Sequence, residues 1–385
     1  MYCLMNKDEK VAEIVVGKGI LGHTYALSDA RKDRLPIGFC HVEEWLENRK
    51  ASKHNRRMKA IMQLCDCENM EGFLRATHGA SLNDTFWLKS DEENVKWEDV
   101  SLYRNSFDGS ISRLAFGRSD LYDARLSNAS PEMTTSGSFK KCWMRGRNGD
   151  ICLYKRGREG VRAVELEAYS EVMASELASL ICPGAVEYKL VKLQGEIASK
   201  CRLFTDEACG YVPIAGYADV QHESPDRLLE FFAGIGSEDA FRRMIVLDSI
   251  IFNVDRHGGN YGVLIDNDTL KPIKMAPVFD LNLALLPYAE QEAFEDIGTK
   301  MMGYGPGIGS DFTRMGQMVM TSEIRSTLIG LEGFRFSFRG DENYPEWRVN
   351  MMEELVNRQI EALLDKNVLY TKDVFVPKQL LIQGE

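Results

Sequence analysis

Residues 250–286 read IIFNVDRHGGNYGVLIDNDTLKPIKMAPVFDLNLALL, and the rest of the chain is interpreted from this stretch. Asp255 precedes Asn260 by five residues, and a strand-like run begins at Tyr261. The polar turn Asp-Asn-Asp at residues 266–268 leads into a second strand-like run, residues 275–279, that ends in Asp280. The pattern predicts a β-hairpin with an Asp and an Asn before its first strand and an Asp directly after its second.

Two carboxylates and one amide at these positions are the side chains that phosphoryl transfer needs. One carboxylate can act on the attacking hydroxyl, while an amide and a second carboxylate hold magnesium on the phosphates. The alternative is a polar turn beside a hairpin, which would suffice for a lone Asp-x-His. An Asp, an Asn and a second Asp around one hairpin favour the phosphoryl-transfer interpretation.

The string Asp-Arg-His-x-x-Asn, followed by a hairpin and Phe-Asp, resembles the catalytic loop and metal-binding Asp of HipA-like kinases. This resemblance implies that Asp255 is the catalytic base and that Asn260 and Asp280 bind magnesium. His257 is placed with the nucleotide-binding residues, and a bracing role in the loop is preferred to a catalytic one. Residues 279–281 read Phe-Asp-Leu rather than Asp-Phe-Gly, which departs from ordinary protein kinases and suits the HipA-like group.

The region before this stretch is predicted to form the small lobe of a kinase. A strand over residues 150–155 ends at Lys155, where a kinase places the lysine that contacts the α and β phosphates. Upstream, residues 133–139 form a turn with one glycine, whose amides and hydroxyls can cradle phosphate oxygens. The predicted nucleotide contacts, besides Lys155, are Thr135, Ser136, Gly137, Ser138 and, at the adenine edge, the backbone of Cys201 and Leu203.

A helix is predicted over residues 164–181, because apolar residues recur there at helical spacing and Pro-Gly follows. Glu167 lies near its start and is predicted to pair with Lys155. Glu171, one turn further on, is a rival for that role. The preference for Glu167 comes from its spacing to Ala174 and Leu177, which resembles the helix of HipA-like proteins.

The remaining segments carry less chemistry. Residues 42–62 are predicted to be helical, and residues 82–103 to form strands around the acidic turn 91–93. A small, polar stretch at 127–137 marks the boundary between an N-terminal module and the kinase lobes. Residues 303–309, GYGPGIG, are too rich in glycine for regular structure, and either a mobile segment near the substrate or a surface loop is expected.

The expected fold is therefore α+β and bilobal: a small β-rich lobe with one helix, a large mainly helical lobe, and an extra N-terminal module. The predicted domains are residues 1–125, the module of unknown role; 126–205, the small lobe; and 206–385, the large lobe. The motif resemblance covers residues 130–365.

The overall composition limits the classes of partner. A net charge of -11 argues against a general affinity for nucleic acid or anionic membrane, because both require a basic surface. No apolar run approaches the ~20 residues of a membrane span. The early charges at the N-terminus argue against a signal peptide, and the nine scattered cysteines are typical of reduced thiols. A cytoplasmic protein is expected.

The resemblance to HipA-like kinases implies a bacterial serine/threonine protein kinase that uses ATP and magnesium. It also implies a toxin–antitoxin context, with a possible antitoxin-type protein partner, and autophosphorylation in the phosphate loop. By position, Thr134 resembles the residue modified there, and a phosphate on it would repel those of ATP. The protein substrate itself is not identified by the sequence.

Two other functions remain open at this point. Phosphoinositide kinases share the Asp-Arg-His-x-x-Asn string, so a lipid or small-molecule kinase is one alternative, although the chain is acidic and lacks a basic membrane-facing patch. The other is a catalytically silent module that binds ATP or an antitoxin, which the single-glycine phosphate loop leaves open.

Overall fold

The structure of this chain is a computed structural model that describes residues 1–19, 22–51, 56–67, 69–117, 130–135, 137, 139–157, 166–217, 224–291 and 304–365. The strands in these ranges are β1 (Tyr2–Asn6), β2 (Glu9–Gly19), β3 (Gly22–Ser28), β4 (Phe86–Ser90), β5 (Lys141–Arg145), β6 (Ile151–Lys155), β7 (Lys189–Leu193), β8 (Glu196–Arg202), β9 (Cys209–Pro213), β10 (Gly262–Asp266) and β11 (Pro272–Met275).

The helices in the same ranges are α1 (Val42–Arg49), α2 (Arg56–Leu64), α3 (Met70–Thr77), α4 (Trp97–Val100), α5 (Gly109–Phe116), α6 (Glu167–Ile181), α7 (Pro225–Gly234), α8 (Glu238–Ile251), α9 (Phe312–Met318), α10 (Ser322–Ile329) and α11 (Glu346–Asp365). None of the helices in the described ranges is long and apolar enough to cross a membrane.

The strands form three sheets. Two have four strands, in the orders β3-β2-β1-β4 and β5-β6-β8-β7, and the third has the order β11-β10-β9. Strand β1 pairs antiparallel with both β2 and β4, and β6 pairs antiparallel with both β5 and β8. Antiparallel sheets followed by a long helical region confirm the predicted α+β class.

The chain divides into two compact units. The first contains residues 1–161, 192–212 and 264–273, and the second contains residues 162–191, 213–263 and 274–385. Both four-stranded sheets lie mostly in the first unit, whereas helix α6 lies in the second. These two units have different boundaries from the three segments proposed from the sequence. The three-segment division stays a prediction.

Within the first unit, the N-terminal segment shares a hydrophobic core with the β5–β6 hairpin. Trp87 and Trp97 from the N-terminal segment are buried in one cluster with Trp143 and Ile151. Burial of large aromatic side chains contributes strongly to folding. The N-terminal segment and the β5–β6 hairpin therefore share part of one hydrophobic core.

Polar contacts join the N-terminal segment to the chain that follows β8. The Trp97 indole nitrogen donates to the Glu207 carboxylate at 2.6 Å, and Arg104 Nε donates to it at 2.8 Å. The Thr205 hydroxyl donates to the carbonyl oxygen of Leu82 at 2.5 Å. These bonds hold the segment that follows β8 against the N-terminal sheet region.

Three element predictions need correction. Residues 82–103 contain only one strand, β4, and then helix α4, because the Asp99 carboxylate accepts the Lys96 amide in a capping arrangement. Residues 42–62 are not one helix, since α1 ends at Arg49 and α2 begins at Arg56. The second strand of the hairpin is Pro272–Met275, so Asp280 lies beyond it in an irregular segment.

We expect Trp97→Ala to lower the free energy of unfolding by about 3–5 kcal/mol, because it empties the centre of the shared core. Trp347→Ala is the matched control: that side chain is 37% exposed, and its loss should cost about 1 kcal/mol. Urea denaturation of the full chain measures both variants. Equal losses in the two variants would contradict a shared core centred on Trp97.

Candidate active site

The end of helix α8 sets the position of the loop that follows it. Phe252 adopts a left-handed backbone conformation, with φ +50° and ψ +51°, and its amide donates to the carbonyl of Asp248. A left-handed residue at a helix C-terminus ends the helix and turns the chain away from its axis. The turn places Asn253 and Asp255 immediately after the helix.

Arg256 connects the three segments of this site. Its guanidinium binds both carboxylate oxygens of Asp248 on α8, Nε to Oδ2 at 2.8 Å and Nη2 to Oδ1 at 2.9 Å. Its Nη1 donates to the carbonyl oxygens of Asn260, at 2.7 Å, and Phe279, at 2.9 Å. One nitrogen therefore holds the loop residue Asn260 beside the segment that carries Asp280.

The Arg256–Asp248 ion pair is almost completely buried, with side-chain exposures of 1% and 5%. Burial alone would lower the pKa of Arg256, but the nearby carboxylates of Asp248 and then Asp280 outweigh it, so the pKa is raised. The guanidinium is therefore charged at neutral pH. The same interaction indicates that the Asp280 carboxylate lies within electrostatic range of Arg256.

Asn253 links the ion pair to the backbone of the loop. Its side-chain nitrogen donates to Asp248 Oδ1 at 2.9 Å, and its side-chain oxygen accepts the amide of Asp255 at 3.1 Å. Asn253 is fully buried. Because both ends of its amide are engaged, Asn253 fixes where the Asp255 backbone begins.

Asn260 faces back toward Asp255. Its side-chain nitrogen donates to the Asp255 carbonyl oxygen at 2.9 Å. Because the nitrogen points to the Asp255 carbonyl, the side-chain oxygen of Asn260 points away from it. The described part of the chain provides no hydrogen-bond donor to that oxygen. The amide of Asn260 is thus held with an oxygen available as a ligand.

His257 braces the loop through its ring and its backbone. The ring Nδ1 accepts the amide of Gly259 at 3.0 Å, and the His257 carbonyl accepts the amide of Asn260 at 2.8 Å. The side chain is otherwise exposed. These contacts agree with the bracing role, and the nucleotide contact assigned to His257 stays a prediction.

Asp280 occupies a strained backbone position. Its φ is +56°, a left-handed conformation that costs a residue other than glycine free energy. Its amide donates to the hydroxyl of Tyr188 at 3.2 Å, and the Phe279 carbonyl before it is bound by Arg256. The surrounding contacts therefore hold Asp280 in a conformation that it would rarely adopt alone.

The donors of this site fit a hard cation such as magnesium. Magnesium is commonly held by one or two carboxylates together with waters and substrate phosphates. The Asn260 side-chain oxygen and the Asp280 carboxylate are of that kind. Arg256 binds the carbonyl of Asn260 and that of Phe279, the residue before Asp280. In the residues that the structure describes, no group of three or more His, Cys, Asp or Glu side chains is arranged to hold a metal ion.

The predicted nucleotide residues of β6 and β8 lie in the first unit. Lys155 is the last residue of β6, is 7% exposed, and lies opposite Ser199 of β8. Cys201 lies opposite Leu153, and the amide of Leu203 donates to the Ile151 carbonyl at 2.9 Å. A contact from Leu203 to adenine would therefore have to use its carbonyl oxygen.

The predicted phosphate loop begins with a short 3-10 helix, Pro131–Thr134. The Thr135 hydroxyl donates to the Pro131 carbonyl at 2.6 Å and accepts the indole N–H of Trp143 at 3.0 Å. Thr134 is only 8% exposed, so modification of its hydroxyl requires this turn to open. Gly137 has a φ of +99°, as a phosphate-loop glycine can. Ser136 and Ser138 lie outside the described residues.

The two rival glutamates are both on α6, in the second unit. Glu167 is the first residue of the helix, is 3% exposed, and accepts the hydroxyl of Tyr288 at 2.7 Å. Glu171 is also buried. Lys155 belongs to the first unit, and its pairing with Glu167 or Glu171 stays a prediction.

Arg256, Asn253, Asp248 and Tyr188 are functional residues of this candidate site that were not predicted from the sequence. The spacing of Asp248 and Arg256 was a usable signal, because an acid on the buried face of a helix needs a cation or donor nearby. Tyr188 left no such signal, since it lies 92 positions from its partner Asp280.

The glycine-rich segment after the hairpin packs against the loop. A Cβ on Gly307 would lie 2.4 Å from the Arg256 carbonyl oxygen, so only glycine fits at this approach. Gly307 therefore lies directly beside Arg256 of the loop, and the choice between a mobile segment and a surface loop stays a prediction.

We expect Gly307→Ala to lower the free energy of unfolding by about 1–3 kcal/mol, because the added methyl group overpacks the backbone of Arg256. Gly305→Ala is the matched control, since a Cβ there meets no described atom within 4 Å. It should change stability by no more than about 0.5 kcal/mol. Denaturation curves that coincide for the two variants would contradict the close approach.

Neither the protein-family models nor the curated proteins contain a match to this chain. Among solved structures, the chain is similar to the Helicobacter pylori proinflammatory kinase CtkA, with a TM-score of 0.46 and 16% identity over 61% of this chain and 94% of that one. It is also similar to HipA from the Shewanella oneidensis MR-1 toxin–antitoxin system, solved with HipB and operator DNA. That likeness has a TM-score of 0.47 and 11% identity over 95% of this chain and all of the other. At these values the assignment of function depends on the loop itself.

Proposed function

We propose that this chain is an ATP- and magnesium-dependent kinase that transfers the γ-phosphoryl group to a serine or threonine hydroxyl of a protein. The observation that carries the proposal is the attachment of the Asn260 and Phe279 carbonyls to one nitrogen of Arg256. This attachment holds the amide residue Asn260, and the segment that carries the second carboxylate, Asp280, beside the loop that carries Asp255. These are the groups that phosphoryl transfer requires.

Each residue has a distinct role in the proposed reaction. Asp255 orients the acceptor hydroxyl and takes its proton as the phosphoryl group is transferred. Asn260 and Asp280 hold magnesium, which when bound neutralises charge on the phosphate oxygens. The rate enhancement comes mainly from positioning and from fixed charges, because phosphoryl transfer requires little covalent chemistry from the protein.

The nucleotide is proposed to contact residues of the first unit. Lys155 binds the α and β phosphates and is paired with Glu167. The backbone of residues 135–138 cradles phosphate oxygens, and the chain at Cys201 and Leu203 meets the adenine edge. The position of Lys155 at the end of strand β6 supports this role, because a kinase places its phosphate-binding lysine on such a strand.

We expect Asp255→Asn to reduce phosphoryl transfer by about 10²–10⁴-fold, because the amide cannot take the proton of the acceptor. Nucleotide affinity should change little. The measurement is transfer from labelled ATP, to the chain itself and to proteins of a lysate, beside equilibrium nucleotide binding.

Asp33→Asn is the matched control for that experiment, because Asp33 is an exposed aspartate in a surface turn. It should transfer phosphate at the wild-type rate. Wild-type protein that binds ATP without transferring phosphate would identify a silent ATP-binding module instead. Transfer to lipid vesicles in preference to proteins would identify a lipid kinase.

Asp280→Asn is expected to raise the magnesium concentration needed for half-maximal transfer by about tenfold or more, because it removes a charged ligand. Binding of Mn²⁺, followed by electron paramagnetic resonance in the presence of nucleotide, should weaken in parallel. Asp33→Asn again serves as the control. An unchanged metal requirement in both measurements would exclude Asp280 as a ligand.

The proposal also includes a protein partner of the antitoxin type and autophosphorylation at Thr134, both of which the motif resemblance implies. Mass spectrometry after incubation with ATP tests the second point. Because Thr134 is buried in its 3-10 turn, its modification should be slow unless that turn opens. A modified residue far from Thr134 would contradict this assignment.

A further inference from the structure

Helix α6 is anchored along its length to the segment that leads into α11. The Glu176 carboxylate accepts both the amide and the hydroxyl of Ser337, at 2.9 and 2.8 Å. The Tyr169 hydroxyl donates to the Asp341 carboxylate at 2.8 Å. The Tyr169 ring stacks on the Tyr344 ring, with 5.2 Å between the ring centroids. These contacts fix the middle of the helix within the second unit.

The first residue of the same helix has its own contact. The Tyr288 hydroxyl donates to Oε1 of Glu167 at 2.7 Å. A hydrogen bond from a hydroxyl to a carboxylate is charge-assisted and is stronger than a neutral one. The bond fixes the position of Oε1 of Glu167. It thereby fixes the direction in which Oε2 points.

Tyr288 is itself held by a buried arginine. Arg348 Nη1 donates to the carbonyl of Ala289 at 2.8 Å, and its Nη2 donates to the carbonyls of Leu286, at 2.9 Å, and Pro287, at 3.2 Å. These residues lie on both sides of Tyr288. These bonds hold the backbone on both sides of Tyr288 in place while its hydroxyl donates to Glu167.

We propose that Tyr288 is a positioning residue that orients the carboxylate of Glu167. The inference rests on the proposed kinase function, in which Glu167 directs Lys155 toward the phosphates. Of the two rival glutamates, Glu167 is the one whose carboxylate accepts this hydroxyl at 2.7 Å.

The test is Tyr288→Phe, which removes only the hydroxyl. We expect kcat/KM for ATP to fall on the order of tenfold, as for loss of a hydrogen bond to a charged group. Tyr217→Phe is the matched control: its hydroxyl is buried and has no hydrogen-bond partner in the described part of the chain. It should leave kcat/KM unchanged, and the two variants should unfold at similar temperatures.

A double-mutant cycle distinguishes orientation of Glu167 from a general structural effect. In a Glu167→Gln background, Tyr288→Phe should cost less than threefold, because the carboxylate that it orients is gone. In a Glu171→Gln background, the tenfold effect should persist. Equal costs of Tyr288→Phe in all three backgrounds would overturn the proposal, and so would wild-type kinetics of the single variant.

The Asp255→Asn variant separates failure of this inference from failure of the proposed function. If Asp255→Asn loses transfer while Tyr288→Phe behaves as wild type, the kinase function stands and the role of Tyr288 is refuted. If Asp255→Asn transfers phosphate as fast as wild type, the proposed function fails, and with it the basis of the inference.

Discussion

The buried ion pair between Arg256 and Asp248 is the constraint on which the candidate site depends. Removing two charges from water is costly, and the cost is offset only when each hydrogen-bonding group finds a partner. Arg256 meets this condition by binding the carboxylate and two backbone carbonyls. Moving helix α8, the loop that carries Asp255, or the segment at Phe279 relative to the others would leave a buried charge without its partner. The pair therefore selects one arrangement of three segments.

Several unusual features follow from that arrangement. Asp280 is held in a left-handed conformation because its neighbour Phe279 is bound by Arg256 and its own amide by Tyr188. Gly307 is required because a later segment passes directly against the Arg256 carbonyl. Strain and close approach of this kind persist only where surrounding contacts hold them. Both features lie next to Arg256, the residue that follows Asp255.

The remainder of the chain provides two rigid supports. In the first unit, the N-terminal segment and the β5–β6 hairpin fold around one core that contains Trp97 and Trp143. In the second unit, helix α6 is fixed by aromatic and polar contacts with residues 337–348. Glu167 is thus presented by the second unit, although a small-lobe helix was expected from the sequence. The contacts of Tyr169 and Glu176 provide the physical reason for that placement.

The sequence pattern alone located the first strand of the hairpin and most of helix α6. It could do so because helical periodicity, turn residues and the Asp-Arg-His-x-x-Asn string are local in the chain. Periodicity did not place the second hairpin strand correctly, since the strand is Pro272–Met275. The parts played by Tyr188, Tyr288 and Gly307 emerged only from the folded chain, and so did the bond from Arg256 to the Phe279 carbonyl. Each depends on contacts with segments that are distant in sequence or on the space left between two backbones, and neither quantity is encoded in any short window of residues.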